Sequence, residues 1–408
     1  MQQTEITWPK EDTAFLIIHG VGPHKPFEAL DDFAGNFLHA LQARIKKVDK
    51  NLKVKCRHEV LRHNDWIESY IAAYVDGIEG MRRLDFYEYY WDCYMTRDIT
   101  VRELIDWVDK ISNGGKYFYR YQMPHLAKQY GKDKVDLFND GEFQGYAALL
   151  NRSVVIQLLI RLITYSPLRF IAERLSQWAS LKDLVIYTTS DVRSQNYEIR
   201  RKILDGAVEE LKLLLKSDWR YDQIIVVGHS LGSVIAYDAL DRIQQDMNVP
   251  NDPKAVPTSK IKGLVTLGSP LDKVAFFFHE HIPKENSIQR AILAHLHNFK
   301  RRPLTTDKGP QVSLLDKIAF FFHLKRRPST KGKDFKDIAD PFKQGLNAKW
   351  LNFYHRKDLI GGHLDAYDLA PKDNVECTME LPHVGAHSCY WQLRGEVHDK
   401  IIECFFKP

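Results

Sequence analysis

An apolar run that stops at a glycine-flanked serine constrains this chain more than any other feature. Ile224 to Val227 lead into Gly228-His229-Ser230-Leu231-Gly232, and Val234, Ile235, Tyr237, Ala239 and Leu240 follow at helical spacing. The order is strand, tight turn, helix, the arrangement of a nucleophile elbow. A chain that bends so sharply needs small neighbours, and Gly228 and Gly232 supply that room. Such a turn raises the Ser230 hydroxyl above a sheet edge. It also places the hydroxyl at a helix N-terminus, where backbone N–H groups favour negative charge. The plainer alternative is a serine N-cap on an ordinary α/β turn.

The flanking pattern predicts the sheet that this turn needs. Thr13 to His19 is a continuous apolar run and reads as a buried, parallel-type strand. Residues 28–48 carry Leu30, Phe33, Phe37, Leu38, Leu41 and Ile45 on one helical face. Val54–Leu61 and Phe86–Trp91 read as strands, with a helical stretch at about 65–80 between them. Leu184–Thr188, Gln223–Val227, Ile261–Leu267, Trp350–Tyr354 and Val375–Leu381 read as later strands. Residues 195–216, 231–246 and 388–405 read as helices. Strands alternating with helices predict an α/β chain with a mostly parallel central sheet flanked by helices.

Three parts are expected: residues 1–99 and 181–408 as two halves of one core, and 100–180 as a helical cap or lid insertion. Leu149 to Trp178 is apolar and aromatic, with Arg152, Arg161, Arg169 and Arg174 interspersed. It suits packing on the core, or a lid or membrane-facing surface. Within the second half, about 280–345 reads as a basic, aromatic insertion. L-D-K-V-A-F-F-F-H (Leu271 to His279) recurs 44 residues later as L-D-K-I-A-F-F-F-H (Leu315 to His323). A solenoid needs more copies, so this is one duplicated helical segment. Its phenylalanines beside Lys300-Arg301-Arg302 and Lys325-Arg326-Arg327 suit peripheral contact with anionic lipid; a buried aromatic helix with a solvated linker is the alternative.

Composition narrows the setting. With 44% hydrophobic and 27% charged residues, the 408-residue chain can bury a substantial core. A net charge of +5 is mild: it suits anionic membrane surfaces or ordinary scatter in surface charge, and no nucleic-acid partner is expected. Five cysteines, odd in number and without a C-x-x-C pair, predict a reducing, cytoplasmic compartment and neither a disulfide framework nor a zinc site. No basic-then-apolar leader opens the chain, and no apolar run reaches the roughly 18 residues that span a bilayer. No His/Asp/Glu spacing matches a metal helix, so neither metal nor other cofactor is expected. Oligomeric state is not legible.

A serine hydroxyl needs a base to act as a nucleophile, and the base is normally a histidine held by a carboxylate. Behind such an elbow the chain order is serine, acid, histidine. Asp358, after the strand Trp350–Tyr354, is the expected acid, with Asp365 and Asp368 as fallbacks. His387, in G-A-H-S-C-Y-W, is the expected base, and His383 competes with it. His229 is expected to support the turn, His355 and His363 to shape the acid loop, and His398 to lie on the surface of the terminal helix. An oxyanion hole needs N–H donors aimed at the forming oxygen. Leu231, after the serine, should give one. H-G-V-G-P-H, with His19, Gly20 and Gly22 supporting Val21, should give the other.

Gly228 to Asp238 (G-H-S-L-G-S-V-I-A-Y-D), Thr266 to Asp272 (T-L-G-S-P-L-D) and Asn352 to Asp358 (N-F-Y-H-R-K-D) resemble the α/β-hydrolase lipase and esterase superfamily. Within it the combination is similar to intracellular phospholipases that carry a DDHD domain and to bacterial lipase-like hydrolases with an H-G-V-G loop. The resemblance implies an α/β-hydrolase core and cleavage of a small-molecule acyl ester, lipid-like or simple. Thioester hydrolysis or acyl transfer on the same residues is the nearest rival. A non-catalytic membrane-docking module on the same scaffold is the more distant one.

Overall fold

A computed structural model describes residues 6–63, 66–100, 102–103, 106–107, 177–189, 193–216, 220–247, 256–271, 274, 346, 348–358, 360–364, 367, 369–378 and 386–406. Most of the expected cap (100–180), nearly all of both F-F-F-H segments and the basic insertion at 280–345 lie outside these residues, as do Asp365, Asp368 and His383.

Among the described residues, eight strands form one sheet. They are β1 (Thr13–Ile18), β2 (Val54–His63), β3 (Trp66–Val75), β4 (Leu84–Tyr89), β5 (Gln223–His229), β6 (Ile261–Leu267), β7 (Lys349–Tyr354) and β8 (Asn374–Glu376). Their spatial order is β2-β3-β4-β1-β5-β6-β7-β8. From β4 to β8 every neighbouring pair is parallel. The β2–β3 hairpin adds two antiparallel pairings at one edge.

The helices are α1 (Glu28–Val48), α2 (Gln177–Tyr187), α3 (Gln195–Lys216), α4 (Leu231–Met247) and α5 (Asp399–Phe405). The pleat sorts side chains to two layers. Ala14, Leu16 and Ile18 of β1, with Ile224 and Val226 of β5, pack with the buried faces of α3 and α4. Phe15 and Ile17, with Ile225 and Val227, pack with α1 and the C-terminal segment. Both central strands are therefore buried along their whole length and apolar at their centres, as suits strands covered on both faces.

Several expectations fail locally. The stretch at about 65–80 is not a helix: Trp66–Val75 is strand β3, paired antiparallel with β2. Trp66, Ile67, Tyr70, Ile71, Tyr74 and Val75 are aromatic or β-branched, and such side chains fit a pleated surface better than a helix. Leu184–Thr188 is not a strand but the end of α2, where Thr188 N–H donates to the Leu184 carbonyl at 2.9 Å. A short apolar run carries no periodicity that separates a buried strand from a buried helix. The expected helix at 388–405 is broken into a 3-10 turn (Tyr390–Gln392), a π turn (Arg394–His398) and α5. His398 is not on the surface: it is fully buried, its Nε2 donates to the Trp391 carbonyl at 2.7 Å, and its ring lies 5.2 Å from Phe33.

Candidate active site

In the parallel part of the sheet the strands all end at one edge, and the site forms there. β5 runs into Ser230, whose φ of 51° lies in the left-handed region that a non-glycine residue rarely adopts. That strain costs on the order of 1 kcal/mol, and contacts on every side hold it. Ser230 N–H donates to the Leu267 carbonyl of β6 at 2.9 Å, and the Ser233 hydroxyl donates to the Ser230 carbonyl at 2.5 Å. A Cβ on Gly232 would come within 2.2 Å of the Ile18 carbonyl oxygen, and one on Gly228 within 2.5 Å of Ser233 Cα. Only glycine fits at either position. Helix α4 begins at the next residue, Leu231.

His387 and Asp358 arrive from loops beyond β8 and β7. His387 Nε2 lies 2.8 Å from Ser230 Oγ. His387 Nδ1 lies 3.0 and 2.9 Å from the two oxygens of Asp358. An ionised carboxylate only accepts, so Nδ1 carries the proton and Nε2 is the acceptor facing Ser230. Asp358 is almost wholly buried. Burial pushes its carboxyl up, but the hydrogen bond and charge of His387, the Tyr390 hydroxyl and the Gly361 N–H outweigh it and hold the pKa at about 2. Tyr390 O–H donates to Oδ2 at 2.7 Å, and the N–H groups of Ile360 and Gly361 donate to Oδ1 at 2.8 and 3.0 Å. The acid is thus charged and fixed, and a base oriented by it faces a strained hydroxyl. This arrangement can take the serine proton as the oxygen attacks an electrophilic carbon.

The other expected residues fall around the same edge. His229 Nε2 donates to the His387 backbone carbonyl at 2.8 Å, so it braces the loop carrying the base. Burial first, then the neighbouring His387, lowers its pKa to about 3, and it is neutral near pH 7. Gly20 passes directly beside the serine: a Cβ there would come within 2.9 Å of Ser230 Cβ. His19 stacks on Trp91 with ring centroids 4.7 Å apart. Its carbonyl accepts from Trp91 Nε1–H at 2.9 Å, and its Nε2 accepts from Trp91 N–H at 3.3 Å. Gly22 adopts φ 97° and donates its N–H to Asp183 Oδ2 at 2.7 Å. Val21 therefore sits between two anchored glycines, and Leu231 N–H opens α4. His355 is buried, and its Nδ1 accepts from Lys357 N–H at 3.0 Å within the acid loop. His363 packs on the Tyr354 ring, with centroids 5.4 Å apart.

Tyr390 and Asp183 were not expected. Tyr390 lies three residues after His387 in S-C-Y-W, so its nearness was visible in the sequence while its hydroxyl's target was not. Asp183 comes from a helix far from every motif, and no pattern marks it. Among the described residues, no group of three or more His, Cys, Asp or Glu side chains is placed to hold a metal ion.

Comparison with protein-family models, with curated proteins and with solved structures finds no match to this chain.

Proposed function

We propose that the protein is a serine hydrolase of the α/β-hydrolase kind, cleaving a carboxylic ester through Ser230, His387 and Asp358. One observation carries the reading: a serine at φ 51° on a strand-to-helix turn, 2.8 Å from the free nitrogen of a histidine whose other nitrogen is held by a buried carboxylate. A structural N-cap serine needs neither the strain nor the base. The chain order of serine, acid and histidine, and a glycine loop after the strand beside β5, support the fold-family part of the reading.

In this mechanism Ser230 Oγ bonds to the carbonyl carbon while His387 Nε2 takes its proton. The carbonyl oxygen gains the negative charge, and the Leu231 and Val21 N–H groups are its proposed donors. The carbon–oxygen bond to the alcohol then breaks as Nε2–H returns the proton to the leaving oxygen, leaving an acyl-Ser230 ester. Water repeats the sequence, giving the carboxylic acid and free Ser230. Asp358 keeps Nδ1 protonated and stabilises the transient imidazolium.

The five cysteines are free, with Cys56 and Cys93 exposed, which supports a reducing, cytoplasmic setting. Among the described residues, no helix is long and apolar enough to cross a membrane.

The test is a panel of short-chain and long-chain p-nitrophenyl esters with fluorophosphonate labelling, run beside Ser230→Ala. Wild type should turn over at least one ester and take the label, and the variant should do neither while unfolding at the same temperature. Ester hydrolysis by Ser230→Ala at the wild-type rate would refute the assignment.

A further inference from the structure

Val21 N–H is useful to an oxyanion only if the loop presents it at a fixed angle. A donor displaced by an ångström loses most of its effect. The loop from His19 to Gly22 has no regular structure to set that angle. Its first end is fixed by Trp91, which hydrogen-bonds both the carbonyl and the ring of His19. Beside Val21, Gly20 is wedged against Ser230 and His229. At the far end Gly22 turns to a positive φ, a conformation that bulkier residues rarely adopt and that a glycine leaves readily. Among the described residues, the hydrogen bond that holds it there is the one its N–H donates to Asp183 Oδ2 at 2.7 Å.

Asp183 has no evident reason to be there for stability. It sits on α2 among Val185, Ile186 and Tyr187, which are all buried, and is itself 2% exposed. Burial pushes its carboxyl up to about 6, against the Gly22 N–H and the charge of Lys182. The folded state therefore bears a cost for keeping this group ionised near pH 7. A buried acid that ties down the loop beside the nucleophile, at the cost of holding its charge out of water, fits a functional constraint better than a packing one.

We infer that Asp183 is a positioning residue for the reaction: by accepting the Gly22 N–H it locks the Gly20-Val21-Gly22 segment and aims Val21 N–H at the developing oxyanion. It touches neither substrate nor Ser230 and acts through the loop alone. The inference rests on the serine-hydrolase reading. Acylation and deacylation both pass through an oxyanion, so losing the lock lowers kcat whichever step limits.

Two substitutions separate this role from a structural one. Asp183→Leu keeps the shape and removes both the buried charge and the acceptor, so the variant should melt no lower than wild type. With p-nitrophenyl butyrate as the probe, its kcat should fall about 30- to 100-fold, below the full loss of a donor, while KM stays within about twofold. Asp183→Asn retains an acceptor oxygen without the charge and should restore kcat to within about threefold of wild type. Should Asp183→Leu fold poorly, Asp183→Ala gives the same comparison. Wild-type kcat in the folded Leu or Ala variant would overturn the inference, as would an Asn variant no better than Leu. If wild type neither hydrolyses the ester nor takes a fluorophosphonate, the serine-hydrolase reading fails and the inference falls with it. If wild type passes and Ser230→Ala fails both assays, the Asp183 result judges the inference alone.

Discussion

The two edges of the sheet both bury charged and polar side chains, yet they use them in opposite ways. Where β4 and β5 begin, Arg83, Asp85, Tyr87, Tyr221 and Arg220 form a closed network. Tyr221 O–H donates to Asp85 Oδ2 at 2.6 Å, and the Tyr87 and Tyr221 hydroxyls are 2.6 Å apart. Arg83 donates twice to Asp85 at 3.1 Å, and Arg220 donates to the Tyr87 hydroxyl at 3.3 Å. Tyr70 stacks on Tyr87, donates to Glu59 and lies under Arg220. Each of these groups is tied to the next, and Phe substitution of a tyrosine here breaks the ring. At the edge where β5, β6 and β7 end, the bonds instead run in a line, from Asp358 through His387 to Ser230, and stop at a strained hydroxyl. A ring in which each group is held by its neighbours resists change. The line instead ends with a histidine nitrogen facing a serine hydroxyl, the pairing across which the proposed reaction moves its one proton.

The sharpest break in this comparison comes from Asp358→Asn. The amide keeps the shape, but it favours the wrong tautomer of His387, so Nε2 no longer accepts from Ser230. Ester turnover should fall about 10⁴-fold with the fold retained, as circular dichroism and kcat on p-nitrophenyl butyrate will report. A loss under about tenfold would mean that the line does not serve the reaction.

The opposite edge should show the reverse. Tyr221→Phe removes the hydroxyl shared by Asp85 and Tyr87 and leaves a buried carboxylate short of one donor. Stability should drop by about 2 kcal/mol in urea unfolding while kcat stays within about twofold of wild type. A variant as stable as wild type would show that the ring contributes no net stability.

How much of this contrast was legible in the sequence depends on the range of the contacts. The elbow, β1, β5, β6 and the order of Ser230, Asp358 and His387 were readable, because local patterning specifies each. His229 was read as supporting the turn, whereas its hydrogen bond goes to the His387 carbonyl. The ring at the other edge was not readable. Its members come from β2, β3, β4 and the turn before β5, and neither charge nor spacing reveals which tyrosine will meet which carboxylate. The same limit hid Tyr390 and Asp183. Misread elements failed for a different reason: the apolar spacing in β3 and the short apolar run at the end of α2 fit either a strand or a helix, and what packs on them decides the type. At β3 a signal was available, since Asn64-Asp65 between two β-rich runs is a turn-type dipeptide. His398 was misplaced because a helix read as uniform is broken by a π turn, which rotates that ring onto Phe33.

A smaller effect sharpens the comparison within the reactive edge. His229 braces the His387 carbonyl and lies outside the line from Asp358 to Ser230. His229→Phe keeps the aromatic packing against Trp391, 5.2 Å away, and removes that bond. Turnover should fall about tenfold, equivalent to about 1.4 kcal/mol, without the collapse expected for Asp358→Asn. The readout is kcat on the same ester at fixed pH. A loss as large as that of Asp358→Asn would place His229 in the line itself.

Glu88 gives the smallest effect on turnover and the finest test, because it lies near the end of β4 yet is built like the structural edge. It is 4% exposed and accepts the N–H of Phe27 at the start of α1. Burial pushes its carboxyl up to about 7, against the N–H groups of Phe27, Leu30 and Ala29. The sign follows from linkage: a carboxyl raised on folding binds its proton more tightly in the folded state. Stability therefore rises as pH falls through about 7 and levels off near the unfolded value of about 4.3. A glutamine in its place would keep an acceptor and never carry the charge. Glu88→Gln should thus be more stable than wild type at pH 8 by about 3 kcal/mol, and most of that gap should close by about pH 5. Paired thermal melts across that range measure it, and kcat should not move with the gap. A constant gap across pH 5 to 8 would show that Glu88 does not titrate on folding, and a kcat that tracked it would join this carboxyl to the reactive line.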